Sequence, residues 1–251
     1  MCIIGNNMDE AWIMLFVLMP LAAFLYAAVG HGGASSYLMF LALFNFAPEQ
    51  IRPTALMLNM VVSLLAFLAY RKTVAFPTNL FLSLIIFSIP AAYLGGTILV
   101  DTVLYKQILG MLLFFPILRF LNVFPIAKER VIQRVWWMAP ILGISIGFFS
   151  GLIGIGGGII LSPILLMLGW TSMKETAALS ALFIFFNSVA GYIGADAVNI
   201  SIDAKLWYLM PLTVAGGAIG AYLGAKRFNV NVVKYILTTV LFFAAIKLIW
   251  A

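Results

Sequence analysis

Two short glycine-rich stretches are the most chemically distinctive features of this sequence. Gly30-His-Gly-Gly33 precedes an apolar run at 34–46, and Gly154-Ile-Gly-Gly157 precedes a similar run at 159–170. A helix needs about 20 residues to cross a bilayer, so both runs are too short for a full helical crossing. Each pattern therefore predicts a broken or re-entrant helix after a glycine turn, in a place where irregular backbone is enclosed by protein or lines a wet cavity.

Such a turn is suited to binding an anion. The N-terminus of a helix presents free N–H groups and the positive end of the helix dipole, and glycine lets an oxyanion approach the backbone closely. The alternative interpretation is close helix packing through small residues. The glycines that we interpret as candidate substrate ligands are Gly30, Gly32, Gly33, Gly154, Gly156, Gly157 and Gly158.

Neutral polar side chains at membrane depth form the second group of candidates. His31 is the sole histidine; it is predicted to bind the substrate, to carry a coupled proton, or to cap helix backbone as a neutral imidazole. A buried amide needs partners for its donors, so Asn59 and Asn187 should face the protein core. Several of the serines will bond carbonyls of their own helix. The further candidates are Ser35, Ser36, Asn59, Ser63, Ser162, Ser180, Asn187 and Ser188.

The elements that must position these residues are membrane helices. Of the 251 residues, 65% are hydrophobic and 9% are charged, which leaves too little polar surface to cover a water-soluble globule. The fold class is therefore an all-α polytopic membrane protein with the lipid bilayer as its solvent. Apolar runs are predicted at 11–29, 34–46, 53–70, 80–100, 103–122, 136–152, 159–170, 177–195, 206–225 and 232–250.

These ten segments divide into two related halves. Ala92-Tyr-Leu-Gly-Gly96 in the first half matches Ala221-Tyr-Leu-Gly-Ala225 in the second. In each half this motif follows the glycine turn, and the shared order indicates a duplicated unit. The predicted parts are a first transmembrane repeat at 1–127, a cytoplasmic basic linker at 128–135 and a second repeat at 136–251. Five segments per repeat, an odd number, make the repeats inverted relative to each other.

The charges define the predicted orientation. With the N-terminus outside, most cations fall on the inner side, as the positive-inside rule requires, and the C-terminus is also outside. Four cations remain on or near the outer side: Arg52, Lys106, Lys205 and Lys247. The formal charge of +6 therefore indicates membrane orientation and not a nucleic-acid partner.

Several function classes lack their residues in this sequence. One cysteine and one histidine predict no metal site, no cofactor and no catalytic residue, and an enzyme embedded in the membrane is one alternative. No Asp or Glu falls in the core of a predicted span, which argues against a cation pathway. A non-transporting assembly or receptor subunit is the other alternative, because small-residue faces also serve packing alone.

These motifs together resemble the TauE/SafE family of sulfite exporters and toluenesulfonate-uptake permeases over nearly the whole chain. The resemblance rests on Ala28-Val-Gly-His-Gly-Gly-Ala34, Pro53-Thr-Ala-Leu-Met-Leu-Asn59, Gly151-Leu-Ile-Gly-Ile-Gly-Gly-Gly158 and Thr176-Ala-Ala-Leu-Ser-Ala181. It implies a secondary transporter of the bacterial inner membrane that moves a small sulfur-containing anion, such as sulfite or an organosulfonate, with a coupled proton or counter-ion as a further possible partner.

The two halves differ at the candidate site. His31 in the first turn corresponds to Ile155 in the second, and Ser162-Pro163 stands where the first half has Leu38-Met39. We therefore expect an asymmetric binding pocket whose substrate is exposed alternately to each side of the membrane.

Overall fold

The computed structural model describes residues 3–28, 30–121, 137–197, 207–226, 242, 245 and 246. Within this part of the chain the elements are helical and no strand occurs, which confirms the all-α prediction there. The predicted linker at 128–135 and most of the predicted segment at 232–250 lie outside the described residues. The helices are α1 (Ile3–Ala27), α2 (Ala34–Leu43), α3 (Pro48–Tyr70), α4 (Thr78–Thr97), α5 (Thr102–Phe120), α6 (Met138–Ile153), α7 (Gly158–Met167), α8 (Met173–Asp196) and α9 (Leu209–Lys226).

Three of these helices, α3, α4 and α8, are long and apolar enough to cross a membrane by length and composition. Their outward faces carry large apolar side chains such as Ile86, Leu94 and Ile193, which are all more than half exposed. A water-soluble protein seldom exposes so many large apolar side chains together, whereas a lipid-facing surface requires them. The chain is therefore a helical membrane protein.

The helices α2 and α7 have 10 residues each, so the prediction of an unusually short second segment in each half is confirmed. Both begin after a glycine with positive φ, at 91° for Gly33 and 75° for Gly157, a region that costs other residues about 1–2 kcal/mol.

Both short helices also end earlier than their apolar runs. Asn45 and Gly169 adopt φ values of 61° and 65°. Beyond them, Phe46 N–H donates to Leu41 C=O and Trp170 N–H donates to Leu165 C=O, in the left-handed termination that satisfies the last carbonyls of a helix.

Two seams of glycine join helices from different halves. Three glycines at every fourth position of α6, and three of α9, face a backbone carbonyl of another helix so closely that a Cβ would collide with it. On α6 they are Gly143, Gly147 and Gly151, which face Leu84, Ser88 and Ala92 of α4; on α9 they are Gly216, Gly220 and Gly224, which face Pro20, Phe24 and Ala28 of α1. This is small-residue packing of the kind that brings membrane helices into backbone contact.

The packing of the helices is reciprocal. In sequence order, α1, α2, α3 and α4 correspond to α6, α7, α8 and α9. Under this correspondence the α4–α6 contact matches the α9–α1 contact, and the α4–α8 contact matches the α9–α3 contact. The helices α3 and α8 pack directly against each other at the centre. The same pair carries Asn59 and Ser180, so the central helices position the candidate polar residues beside the short helices α2 and α7.

Candidate functional site

Two glycine-rich breaks meet at the side chain of Asn59. We call residues 30–33 the first break and residues 154–157 the second break. A Cβ on Gly32 would collide with Asn59 Oδ1, and a Cβ on Gly156 would collide with Asn59 Nδ2. Asn59 is 1% exposed, so its amide lies in the protein core as expected. Its Oδ1 accepts from the Ala34 N–H at 3.1 Å, and its Nδ2 donates to the Ile155 carbonyl at 3.5 Å. One side chain of α3 thus joins both breaks.

His31 makes a second link between the halves. Its Nε2 lies 3.0 Å from Ser162 Oγ, which in turn lies 2.9 Å from Ser180 Oγ and 2.7 Å from the Gly158 carbonyl. A carbonyl can only accept, so the single hydroxyl hydrogen of Ser162 points to Gly158. Ser162 then accepts from Ser180 and from His31, and the hydrogen-bond network places a hydrogen on His31 Nε2.

Tyrosines complete the polar structure of the first break. Ser35 Oγ donates to the Tyr26 hydroxyl at 2.9 Å, Tyr37 donates to the Gly32 carbonyl at 3.0 Å, and Tyr70 donates to the Ala28 carbonyl at 3.1 Å. Sequence reasoning missed all three phenols, although a phenol at membrane depth signals a nearby acceptor because an unbonded buried hydroxyl is costly.

The second break carries hydroxyls of a different kind. If Gly156 carried a Cβ, that atom would lie 3.3 Å from Ser188 Oγ. A Cβ on Gly157 would lie 3.4 Å from Ser150 Cβ. Both serines are fully buried, and neither hydroxyl has a hydrogen-bond partner among the described residues. Ser188 was a predicted site residue; Ser150 was not, because a serine inside a small-residue helix carries no distinguishing sequence signal.

Two predicted residues use their polar atoms elsewhere. The Asn187 amide accepts from Ser88 of α4 at 2.5 Å and donates to the Phe183 carbonyl of its own helix at 2.9 Å. Ser63 Oγ donates to the Met60 carbonyl one turn earlier on α3, at 3.4 Å. Both side chains are buried as expected, but their hydrogen bonds join α8 to α4 or stay within α3 and do not reach the breaks.

Arg52 is the one buried side chain with a permanent charge in the described part of the chain. It is 1% exposed, and its terminal nitrogens donate to carbonyls of Ile98 and Gly96 at 2.7 Å each and of Gly151 at 3.2 Å. These carbonyls lie at the C-terminal ends of α4 and α6, where the helix dipole is negative. The guanidinium therefore joins three helices, a role that its assignment to the outer side did not indicate.

The start of each short helix leaves backbone donors directed at the breaks. At α2, Asn59 satisfies the first N–H group, that of Ala34. At α7, the N–H groups of Gly158 and Ile159 have no acceptor among the described residues. Unpaired N–H groups, buried hydroxyls and a positive dipole end offer hydrogen-bond donors without a fixed charge, which is the chemistry of a neutral anion site.

Comparison with known proteins identifies the family of the chain. The family model described as "Sulfite exporter TauE/SafE" matches residues 15–248. The chain belongs to the TauE/SafE family. This confirms the resemblance that the glycine motifs indicated, and it makes the protein a member of a membrane transporter family.

Among curated relatives, the "Probable membrane transporter protein y4hK" of Sinorhizobium fredii is 33% identical over 97% of this chain and 100% of its own length. The "Probable membrane transporter protein MJ0441" of Methanocaldococcus jannaschii is 24% identical over 77% of each chain. The "Probable membrane transporter protein MamO" of Magnetospirillum gryphiswaldense is 33% identical over 44% of this chain, a match that covers 19% of MamO. No solved structure matches the chain.

Proposed function

We propose that this chain is a secondary transporter that moves a small sulfur-containing anion, such as sulfite or an organosulfonate, across the membrane by alternating access. The observation that carries the proposal is the meeting of the two glycine breaks at Asn59, between the central helices α3 and α8. The family description names a sulfite exporter, which supports this substrate class. The relatives are named as membrane transporters, which supports transport.

The polar groups at the breaks suit an acceptor-only solute. Sulfite and sulfonate groups present oxygens that accept hydrogen bonds, and the breaks present amide, hydroxyl and backbone donors. None of the buried polar residues in the described ranges is an Asp or Glu, so no carboxylate repels the anion there. Neutral donors also avoid a fixed buried charge when the site is empty, which keeps release of the anion possible.

Inverted repeats supply the proposed mechanism. The reciprocal packing of α1 to α4 with α6 to α9 supports a pseudo-two-fold relation between repeats at 1–127 and 136–251. Alternating access then consists of rocking about the α3–α8 pair, which exposes the breaks to each side in turn. The proposed location is the bacterial inner membrane, with both termini on the outer side.

Flux through the purified protein in liposomes tests this function. We expect uptake of radiolabelled sulfite or of a taurine-like sulfonate into proteoliposomes, and none into protein-free liposomes. Thermal unfolding of the same preparation shows whether the protein is folded. A folded protein that moves no sulfur anion would contradict the transport proposal and would favour a non-transporting assembly or receptor subunit.

Chemical analysis of the transported anion tests the other alternative. A permease releases its substrate unchanged, whereas a membrane-embedded enzyme alters it. Recovery of intact sulfite or sulfonate from the liposome interior is the expected result. A modified product in its place would show that the chain is an enzyme.

A further inference from the structure

The two breaks differ in how completely their polar groups are satisfied. In the described part of the chain, three buried side-chain polar atoms have no hydrogen-bond partner: Arg52 Nε, Ser150 Oγ and Ser188 Oγ. Two of the three belong to Ser150 and Ser188, whose side chains lie beside the second break. Buried polar atoms are nearly always bonded in folded proteins, so a pair of orphans at one place calls for a ligand or another specific explanation.

Residues at equivalent positions explain why the first break lacks such orphans. Tyr26 lies four residues before Gly30, and Ser150 lies four residues before Gly154. In the first half the Tyr26 phenol reaches Ser35 and bonds it. In the second half a small serine replaces the tyrosine, and the residue equivalent to Ser35 is the apolar Ile159. The first break therefore satisfies its own hydroxyls, and the second break does not.

The first backbone donor of each short helix shows the same difference, whereas the second donors, the N–H groups of Ser35 and Ile159, both lack an acceptor among the described residues. At the N-terminus of α2 the Ala34 N–H is bonded by Asn59. Gly158 stands at the equivalent position of α7, and its N–H has no acceptor among the described residues. The free donors around the second break thus come from three elements: the Ser150 hydroxyl of α6, the Gly158 N–H of α7 and the Ser188 hydroxyl of α8.

We propose that the second break alone binds the anion, as an –SO₃ headgroup held by Ser150, Ser188 and the N-terminal amides of α7. This rests on the proposed transport function and assigns its binding site to one of the two breaks. Donors from three helices at the second break match in number the three oxygens of a sulfite or a sulfonate. The first break, closed by Tyr26 and Asn59, is then a structural counterpart and not a second binding site.

The surroundings of the second break strengthen these hydrogen bonds. Ile146 and Phe183 lie beside Gly157, and Ile184 lies beside Gly156 and Gly158. All three side chains are buried and apolar, so they exclude water from the donors. A hydrogen bond to an ion is stronger where water is excluded. A single compact headgroup, and not a large polar solute, fits such surroundings.

Serine-to-alanine variants in proteoliposomes test the assignment. Ser150→Ala and Ser188→Ala each remove one hydrogen bond to a charged group, so each should raise the concentration of sulfite that gives half-maximal uptake about tenfold or more. Tyr26→Phe, at the first break, should leave that concentration within about twofold of the wild type. Methanesulfonate and sulfite uptake should respond alike, since both present the same headgroup.

Thr213→Val is the matched control variant. Thr213 is a fully buried hydroxyl on α9 that donates to the Leu209 carbonyl of its own helix at 2.7 Å. Loss of this hydroxyl should leave the sulfite concentration for half-maximal uptake unchanged. Where an alanine variant fails to fold, cysteine at the same position keeps the size and weakens the donor, and the same rise is expected.

The outcomes separate the two proposals. If Tyr26→Phe raised the sulfite concentration for half-maximal uptake as much as Ser150→Ala does, both breaks would bind the anion and the assignment would be overturned. An unchanged sulfite concentration for half-maximal uptake in both the Ser150 and Ser188 variants would also overturn the assignment. Transport by the wild type would still support the proposed function. A folded wild type that transports no sulfur anion would contradict both.

Discussion

Replacing Arg52 by methionine tests how a charged residue is held inside this protein. The side chain is 1% exposed and donates to carbonyls at the ends of α4 and α6. Methionine keeps an unbranched apolar stem and removes the donors. The carbonyls of Gly96 and Gly151, both at buried residues, then lose this partner, while Ile98 is 40% exposed and can bond other polar groups near the surface.

The expected loss follows from the buried carbonyls. Each buried acceptor left unbonded costs about 1–3 kcal/mol, so two cost about 2–6 kcal/mol. Methionine also removes the cost of burying the guanidinium, which offsets part of this loss. We therefore expect the free energy of unfolding to fall by about 2–3 kcal/mol, the lower part of that range, because both effects act at once.

Reversible denaturant unfolding in mixed micelles, followed by tryptophan fluorescence, measures this free energy. Lys106→Met is the matched control: Lys106 is a cation whose Nζ lies 3.2 Å from Asn45 Oδ1 in an exposed contact. Its loss should cost less than about 1 kcal/mol, since exposed polar contacts contribute little. An Arg52→Met protein that is as stable as the control variant would refute the reasoning that the guanidinium satisfies these carbonyls.

Three further predictions concern the breaks and the seams. Asn59→Ala should lower the free energy of unfolding by about 1–3 kcal/mol in the same assay, because the Ala34 N–H loses its acceptor; an unchanged value would argue against that bond. Gly151→Ala should reduce the yield of monodisperse protein on gel filtration far more than Gly191→Ala, since only the former places a Cβ against a carbonyl oxygen; equal yields would contradict this. If His31 carries a proton, His31→Ala should abolish the dependence of sulfite flux on a pH gradient while exchange persists; an unchanged dependence would leave His31 a structural role.

Local features of the chain could be predicted from the sequence. The glycine turns and the short helices after them follow from backbone geometry and from the length of an apolar run, both of which are properties of neighbouring residues. The family assignment followed from the same motifs. The ends of α2 and α7 were each placed three residues late, because Asn45 and Gly169 terminate the helices inside the apolar runs.

Features that depend on tertiary packing could not be predicted in this way. The partner of Asn187 is Ser88 of α4, and this pairing requires knowledge of which helix faces α8. Ser150 resembles any small residue of a membrane helix until its missing partner is seen. The burial of Arg52 was likewise invisible, since its acceptors are carbonyls that the sequence does not distinguish.

The two glycine seams have a consequence for how the protein is made. The six glycines named above belong to the second half and the carbonyls that face them belong to the first, while Gly95 of α4 faces the Phe148 carbonyl of α6 in the opposite sense. During synthesis α1 and α4 therefore enter the bilayer before most of the glycines that pack against their backbone have been translated. We expect a truncated chain that stops after residue 127 to persist as an unassembled intermediate, and a separately expressed second half to rescue it.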